Sequence, residues 1–244
     1  MIKFFKKIRY GLLEDNKTAK YFKYAIGEII LVVIGILIAL SINNWNDDRK
    51  EKNRELKLIA SLNEELLSIS EKIRLNLENN EENLQLVEDY LDDVKQTENR
   101  KIEIVSTLDV FTQSSVSYPI MTNILSANTA STIKNDSLLK ELRKLEMSYN
   151  KIKESELYLD QLWDSKMSDF LSKNNYSKSL VNYMRSKNYD DQNLIELYNN
   201  SDYKNIMALK WLLQVYWVKN QRESLLETEK VITTIKKLNK NKEA

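Results

Sequence analysis

Residues 25–42 read AIGEIILVVIGILIALSI, and Glu28 is the single charge among them. Eighteen helical residues extend about 27 Å, close to the hydrocarbon thickness of a bilayer. Eleven of the fourteen residues from Ile29 to Ile42 are Ile, Leu or Val. At roughly −0.3 to −0.6 kcal/mol each, they favour insertion by about 3–7 kcal/mol. Glu28 lies near one end, where snorkelling lowers the cost of a charge. Tyr21, Phe22 and Tyr24 on one side and Trp45 on the other occupy the positions of interfacial aromatic anchors. The run predicts one transmembrane helix over 24–45. Two rival readings fit less well. A soluble core helix rarely lacks a polar face. A cleaved signal peptide would be cut at Ala39-Leu40-Ser41, inside the apolar run and after an unusually long basic region.

Charge sets the expected orientation. Residues 1–24 carry seven Lys or Arg, and residues 46–60 carry five alongside four acids. The basic excess predicts a cytoplasmic N-terminus, with the bulk of the chain outside the cell's inner membrane, in the periplasm. Ile2, Phe4, Phe5, Ile8 and Leu12 alternate with basic residues. Residues 1–23 therefore read as a basic amphipathic segment, either lying on an anionic membrane surface or serving only as a topology signal.

Beyond the span the chain reads as helix. From Ile36 to Tyr118 it contains neither Gly nor Pro, and apolar residues recur in steps of three and four. Leu62, Leu66, Ile69, Ile73, Leu77, Leu84, Val87, Leu91 and Val94 form one stripe on a helix expected from about Asp47 to Thr97. Asn79 and Asn80 interrupt it, which predicts a kink or a polar layer. Asn43, Asn44 and Asn46 mark a place where helix could break. Residues 100–135 are rich in Ser and Thr, and one or two short helices are expected there, with Ser117 or Tyr118 near a start and Pro119 in a first turn. A second long helix is expected from Asp136-Ser137 to about Leu171 on Leu138, Leu142, Leu145, Tyr149, Ile152, Leu159, Leu162 and Phe170. Shorter helices are expected at 177–187 and 191–199, the latter capped by Asp190 or Asp191. Ser201 or Asp202 is expected to cap a last helix ending near Leu238. The segment 206–218 is too short for a second span and includes Lys210 and Gln214, so it reads as a core helix.

Catalytic chemistry finds little support. The chain has no His and no Cys, which removes the commonest general base, thiol catalysis and most zinc sites. Its three Gly all precede residue 36, which leaves no phosphate-binding or dinucleotide loop outside the membrane. Adjacent acids such as Glu64–Glu65, Glu81–Glu82 and Asp92–Asp93 do not face one another on a helix and read as solvated surface. A net charge of +1, with no basic face beyond the first segment, argues against nucleic acid as a partner. One constellation does carry information. Ala25, Glu28, Val32, Gly35, Ala39 and Ile42 follow a 3-4-3-4-3 spacing, a helix–helix seam that gathers the only acid and the small-xxx-small pair Gly35 and Ala39. Either this face packs on another helix, or Glu28 merely sits at headgroup level beside Lys20 or Lys23.

The stretches MIKFF at 1–5, KYxxYAIGEIILVVIGILIAL at 20–40 and INNWN at 42–46 resemble the N-terminus of an uncharacterised bacterial family of single-pass membrane proteins, a domain of unknown function. A looser similarity covers Tyr118 to Tyr149, through Ile133, Leu142-Arg143 and Tyr149. There Ser126-Ala127 stands where the family often has Ser-Gly. The resemblance implies a membrane anchor with a helical extracytoplasmic domain, and no activity, substrate or catalytic residue.

The expected architecture is all-α: one N-terminal transmembrane helix, then an elongated antiparallel helical bundle with long helices over 46–240 and a frayed tail at 241–244. The expected function is a membrane-anchored interaction or scaffold protein, or an accessory subunit, without catalysis, cofactor or metal. Its expected partners are the lipid bilayer and either a second copy or another membrane protein. Two alternatives stand beside it: an accessory of an ion-driven machine that uses Glu28, and a helical-bundle sensor that signals through a partner. The stripe at 56–94 is open to packing within the chain or on a second copy.

Overall fold

The computed structural model describes residues 18–92, 117–126, 129, 132–186 and 192–243. The chain is all-helical, with no strand among the described residues. The elements are α1 (Thr18–Leu91), α2 (Pro119–Leu125), α3 (Asp136–Leu162), a π-helical turn (Trp163–Met167), α4 (Ser168–Lys173), α5 (Tyr176–Ser186), α6 (Gln192–Asn199) and α7 (Ser201–Glu243). Internal contacts divide the chain into two units, 1–57 and 58–244. The amphipathic segment read over 1–23 lies largely outside the described residues, as do Val94, Asp190 and Asp191.

In the first unit, Asn43, Asn44 and Asn46 are helical and produce no break. Their neighbourhood is laced along the helix surface: Asn43 Nδ2 donates to Asp47 Oδ2 at 3.1 Å, and Lys50 pairs with Asp47 at 3.2 Å. These are the three- and four-residue spacings at which helix side chains meet. The Arg49 guanidinium lies 5.6 Å from the Trp45 ring centroid, a cation–π distance.

The second unit buries its stripes within itself. Leu62, Leu66, Ile69, Ile73, Leu77 and Val87 of α1 are buried, whereas Leu84 and Leu91 are partly so. On α3, Leu138, Leu142, Leu145, Tyr149, Ile152, Leu159 and Leu162 are all buried. Fully burying such a side chain stabilises by roughly 1.5–3 kcal/mol. The 56–94 stripe is thus satisfied inside the chain over its described part. α7 supplies the opposing surface to both helices and runs antiparallel to each. Against α1, Arg74 pairs with Glu229 at 2.8 Å and Glu81 with Arg222. Against α3, Tyr149 meets Thr228 and Ser155 meets Asn220. Exposed ion pairs of this kind add little energy, but they record the register.

Short elements are held by specific caps. The Glu65 carboxylate of α1 accepts from Ile120 N at 2.8 Å and Met121 N at 2.9 Å. It thereby satisfies two of the backbone donors that the start of α2 leaves free, while Pro119 occupies the first turn and needs no donor. Glu65 was expected to be solvated surface. Its neighbour Glu64 is exposed, because consecutive helix positions point in different directions. Replacing Glu65 with Ala should destabilise the domain by about 1–3 kcal/mol. Denaturation of Glu65→Ala beside Glu64→Ala checks this, since only the first should shift the midpoint appreciably.

The remaining boundaries follow from Asn side chains. Asn135 Oδ1 accepts from Leu138 N at 2.8 Å and opens α3. Asn200, rather than Ser201 or Asp202, caps α7: its Oδ1 accepts from Asp202 N at 2.8 Å and Tyr203 N at 3.1 Å. Asn175, at φ 63°, takes the left-handed position that ends α4, a conformation asparagine tolerates. Between α3 and α4 the buried positions step from Leu162 to Met167 and then Phe170, with Asp164, Ser165 and Lys166 all exposed. A five-residue step overshoots one α-turn, and the wider π-helical turn at 163–167 takes up the difference.

Candidate functional site

Two regions stand out, one in each unit. Along the first unit, the most apolar window of α1 is long enough to cross a membrane and has none of its residues buried. Phe22 and Trp45, the predicted interfacial anchors, are exposed. On the predicted seam, Val32, Gly35, Ala39 and Ile42 are likewise exposed. Nothing lies within 4 Å of where a Cβ on Gly35 would project. Glu28 is partly covered and already engaged in an interaction. Tyr21, Tyr24 and Ala25 fall within the helix, but their side chains lie outside the described set. The seam residues therefore share one helix face by spacing, and the chain brings no second helix onto that face among the described residues.

In the second unit the core is polar at its middle. One run of buried positions on α7 alternates in steps of four and three: Tyr203, Met207, Lys210, Gln214, Trp217, Gln221, Ser224, Thr228, Val231 and Ile235, with Val218 and Ile232 buried beside it. Both ends of this seam are aromatic or aliphatic. Its centre holds Lys210, Gln214, Gln221, Ser224 and Thr228, each at most 2% exposed. α1 contributes Asn80, whose Nδ2 donates to Gln221 Oε1 at 3.1 Å and whose backbone oxygen accepts from Gln214 Nε2 at 3.3 Å. The interruption at Asn79–Asn80 is thus a polar layer in a helix that continues through it. α3 adds Tyr149, whose hydroxyl shares a 2.7 Å hydrogen bond with Thr228 Oγ1, and Ser155, which accepts from Asn220 Nδ2 at 2.8 Å.

Not every group is satisfied by protein. Gln214 Oε1 and Ser224 Oγ are buried without a hydrogen-bond partner among the described residues. A polar atom left unpaired in a core costs roughly 1–3 kcal/mol, and ordered water is the usual remedy. Burial pushes the Tyr149 hydroxyl up, against the opposing effect of its bond to Thr228, and burial likewise pushes up Tyr203. Both phenols stay neutral and serve as packing. Glu156, a buried position of α3, is pushed up to about 7, first by burial and then by Asp160, with Lys153 opposing.

Between the ordinary carboxylate value of 4.5 and about 7, the folded chain holds a proton at Glu156 that the unfolded chain releases. Its contribution therefore falls as pH rises through that window. Glu156→Gln should remove that slope and stabilise the domain at pH 8 by about 1–2 kcal/mol, allowing for screening by nearby water. Urea midpoints for both chains at pH 5 and pH 8 test it. Parallel shifts in the two proteins would sink the idea.

A shallow groove of about 550 Å³ lies over α2, lined by Ser117, Tyr118, Pro119, Thr122, Asn123, Ser126 and Lys153. Two of its hydroxyls are turned to the protein: Thr122 donates to the Tyr118 carbonyl and Ser126 to the Asn123 carbonyl. Lys153 donates to the Tyr118 hydroxyl at 3.3 Å and lies 4.5 Å from that ring's centroid. Among the described residues, no group of three or more His, Cys, Asp or Glu side chains is placed to hold a metal ion.

These features define an all-helical protein with a core-buried polar layer and one helix long and apolar enough to cross a membrane. The chain belongs to the family of unknown function DUF6090, whose match covers residues 28–215. That range takes in the apolar run from Glu28 onward, α2, α3 and the first part of α7, and begins after the MIKFF opening. No curated protein and no solved structure matches the chain.

Proposed function

We propose that this protein is a membrane-anchored interaction subunit. Its first helix spans the inner membrane once, with the N-terminus in the cytoplasm and residues 46–240 outside. The seam Ala25, Glu28, Val32, Gly35, Ala39 and Ile42 packs on a membrane helix of a second copy or of another protein. One observation carries the reading: the apolar window of α1 is wholly uncovered, with open space at Gly35, while the 58–244 unit buries its own stripes. Small residues let membrane helices approach closely, and an acid in such a helix ordinarily faces a partner or a cavity. The chain acts without catalysis or cofactor of its own on this reading.

In a bilayer association reporter carrying residues 18–50, Gly35→Ile should lower the signal several-fold and Val33→Ile should leave it unchanged. Equal signals from all three sequences would remove self-association through the seam. A single cysteine placed at exposed Lys140 tests orientation, because the chain has no other thiol. Labelling of intact cells by an impermeant maleimide after outer-membrane permeabilisation supports the topology, and protection until lysis reverses it.

A further inference from the structure

We infer that the Asn80–Gln214–Gln221 layer sets the register between α1 and α7 at the expense of stability. The apolar parts of the two facing seams discriminate poorly between alignments. Ile59, Leu66 and Ile73 of α1, like Leu62 and Ile69, repeat at heptad spacing, so Ile232 and Ile235 of α7 can meet aliphatic side chains at more than one alignment. A slide of one heptad sets aliphatic side chains against aliphatic side chains again. Only in the observed alignment does Asn80 stand between two glutamines, donating to Gln221 and accepting from Gln214. Pairing Asn80 with Gln221 and Glu81 with Arg222 means that a slide one way sets Gln221 against Ile73, and the other way against Val87. Either slide leaves a buried amide facing hydrocarbon, whose penalty is what rejects the wrong alignment. A lone polar residue at a core position of helices wound together fixes register by this route, and leucine there is more stable but less selective. The unpartnered Gln214 Oε1 is consistent with a layer kept for selection, because it is not optimised for binding energy.

The absence of Cys makes a direct test clean. Arg74 and Glu229 form an exposed ion pair at 2.8 Å, so Arg74→Cys with Glu229→Cys reports the native alignment. Arg74→Cys with Arg222→Cys or with Lys236→Cys reports a slide of one heptad in either direction. Each pair is placed in the full chain in lipid nanodiscs, with the native layer and with Asn80→Leu, Gln214→Leu and Gln221→Leu combined. The expected result is oxidation of only the 74/229 pair with the native layer. The leucine layer should raise cross-linking severalfold at one or both slid pairs, or between copies, with an unchanged or higher urea midpoint. Cross-linking confined to 74/229 in the leucine chain overturns the inference. A lowered midpoint or loss of the folding transition overturns it as well, because the layer would then supply stability rather than alignment.

Discussion

Trp217→Ala is expected to be the most destabilising single change in the domain, at about 3–5 kcal/mol. The indole is fully buried at the centre of the α7 seam, between Gln214 and Gln221. Truncation removes its packing surface and leaves a cavity in a core that is close-packed. Against a typical total stability of about 5–15 kcal/mol, a loss of that size leaves little margin. Leu226→Ala on the same helix, where the side chain is 63% exposed, should fall within about 0.5 kcal/mol of the parent. Trp217→Phe keeps most of the volume, so it should sit much nearer the parent than the alanine variant. Urea unfolding of the four proteins decides the matter. A cost below about 1 kcal/mol for Trp217→Ala would show that the seam is not the centre of the core.

Leu37→Arg is expected to abolish stable membrane insertion. Leu37 lies near the middle of the apolar run and is exposed, so nothing in the described chain can pair with an arginine there. Central arginine costs roughly 2.5–3.5 kcal/mol on the insertion scale, and the leucine's own contribution is lost too. That swing of about 3–4 kcal/mol is comparable with the whole favourable sum of about 3–7 kcal/mol estimated for the run. Carbonate extraction of membranes from cells expressing each chain measures it: the parent should stay in the pellet and Leu37→Arg should move largely to the supernatant. Retention of both would mean that something other than the apolar run holds the chain at the membrane.

The contrast between these two residues shows how unevenly the structure was legible in the sequence. The apolar run announces itself because its signal is local and needs no partner. The stripes of α1 and α3 were equally readable, since Leu62, Leu66, Ile69 and Ile73, and Leu138, Leu142 and Leu145, repeat at helical spacing and are buried. The centre of α7 was read as part of a core helix, but its polar residues were not read as buried. A search for apolar spacing passes over Lys210, Gln214, Gln221, Ser224 and Thr228, although the phase that runs from Tyr203 and Met207 to Val231 and Ile235 leads through every one of them. Only Asn80 hinted at the layer, from the other side. Glu65 was missed for a different reason: its value lies in the amides of Ile120 and Met121, more than fifty positions away, and no local pattern encodes that meeting. The proposed seam of α1 is legible as a helix face, and no residue pattern names what would pack on it.

The wide turn at 163–167 shows how such a bundle absorbs a change of chain length. An α-helix would carry the core from Leu162 to its next inward residue in three or four steps, whereas here Asp164, Ser165 and Lys166 face water and the inward position falls on Met167. The helix holds one residue more than its winding requires, and looser coiling on the solvent side accommodates it. Loss of one residue at this point would return the step to the four of an α-turn and keep Leu162 and Phe170 in the interior. In a fold built from long helices, where a change of length within a helix rotates every later side chain out of place, this turn is where one residue can be given up.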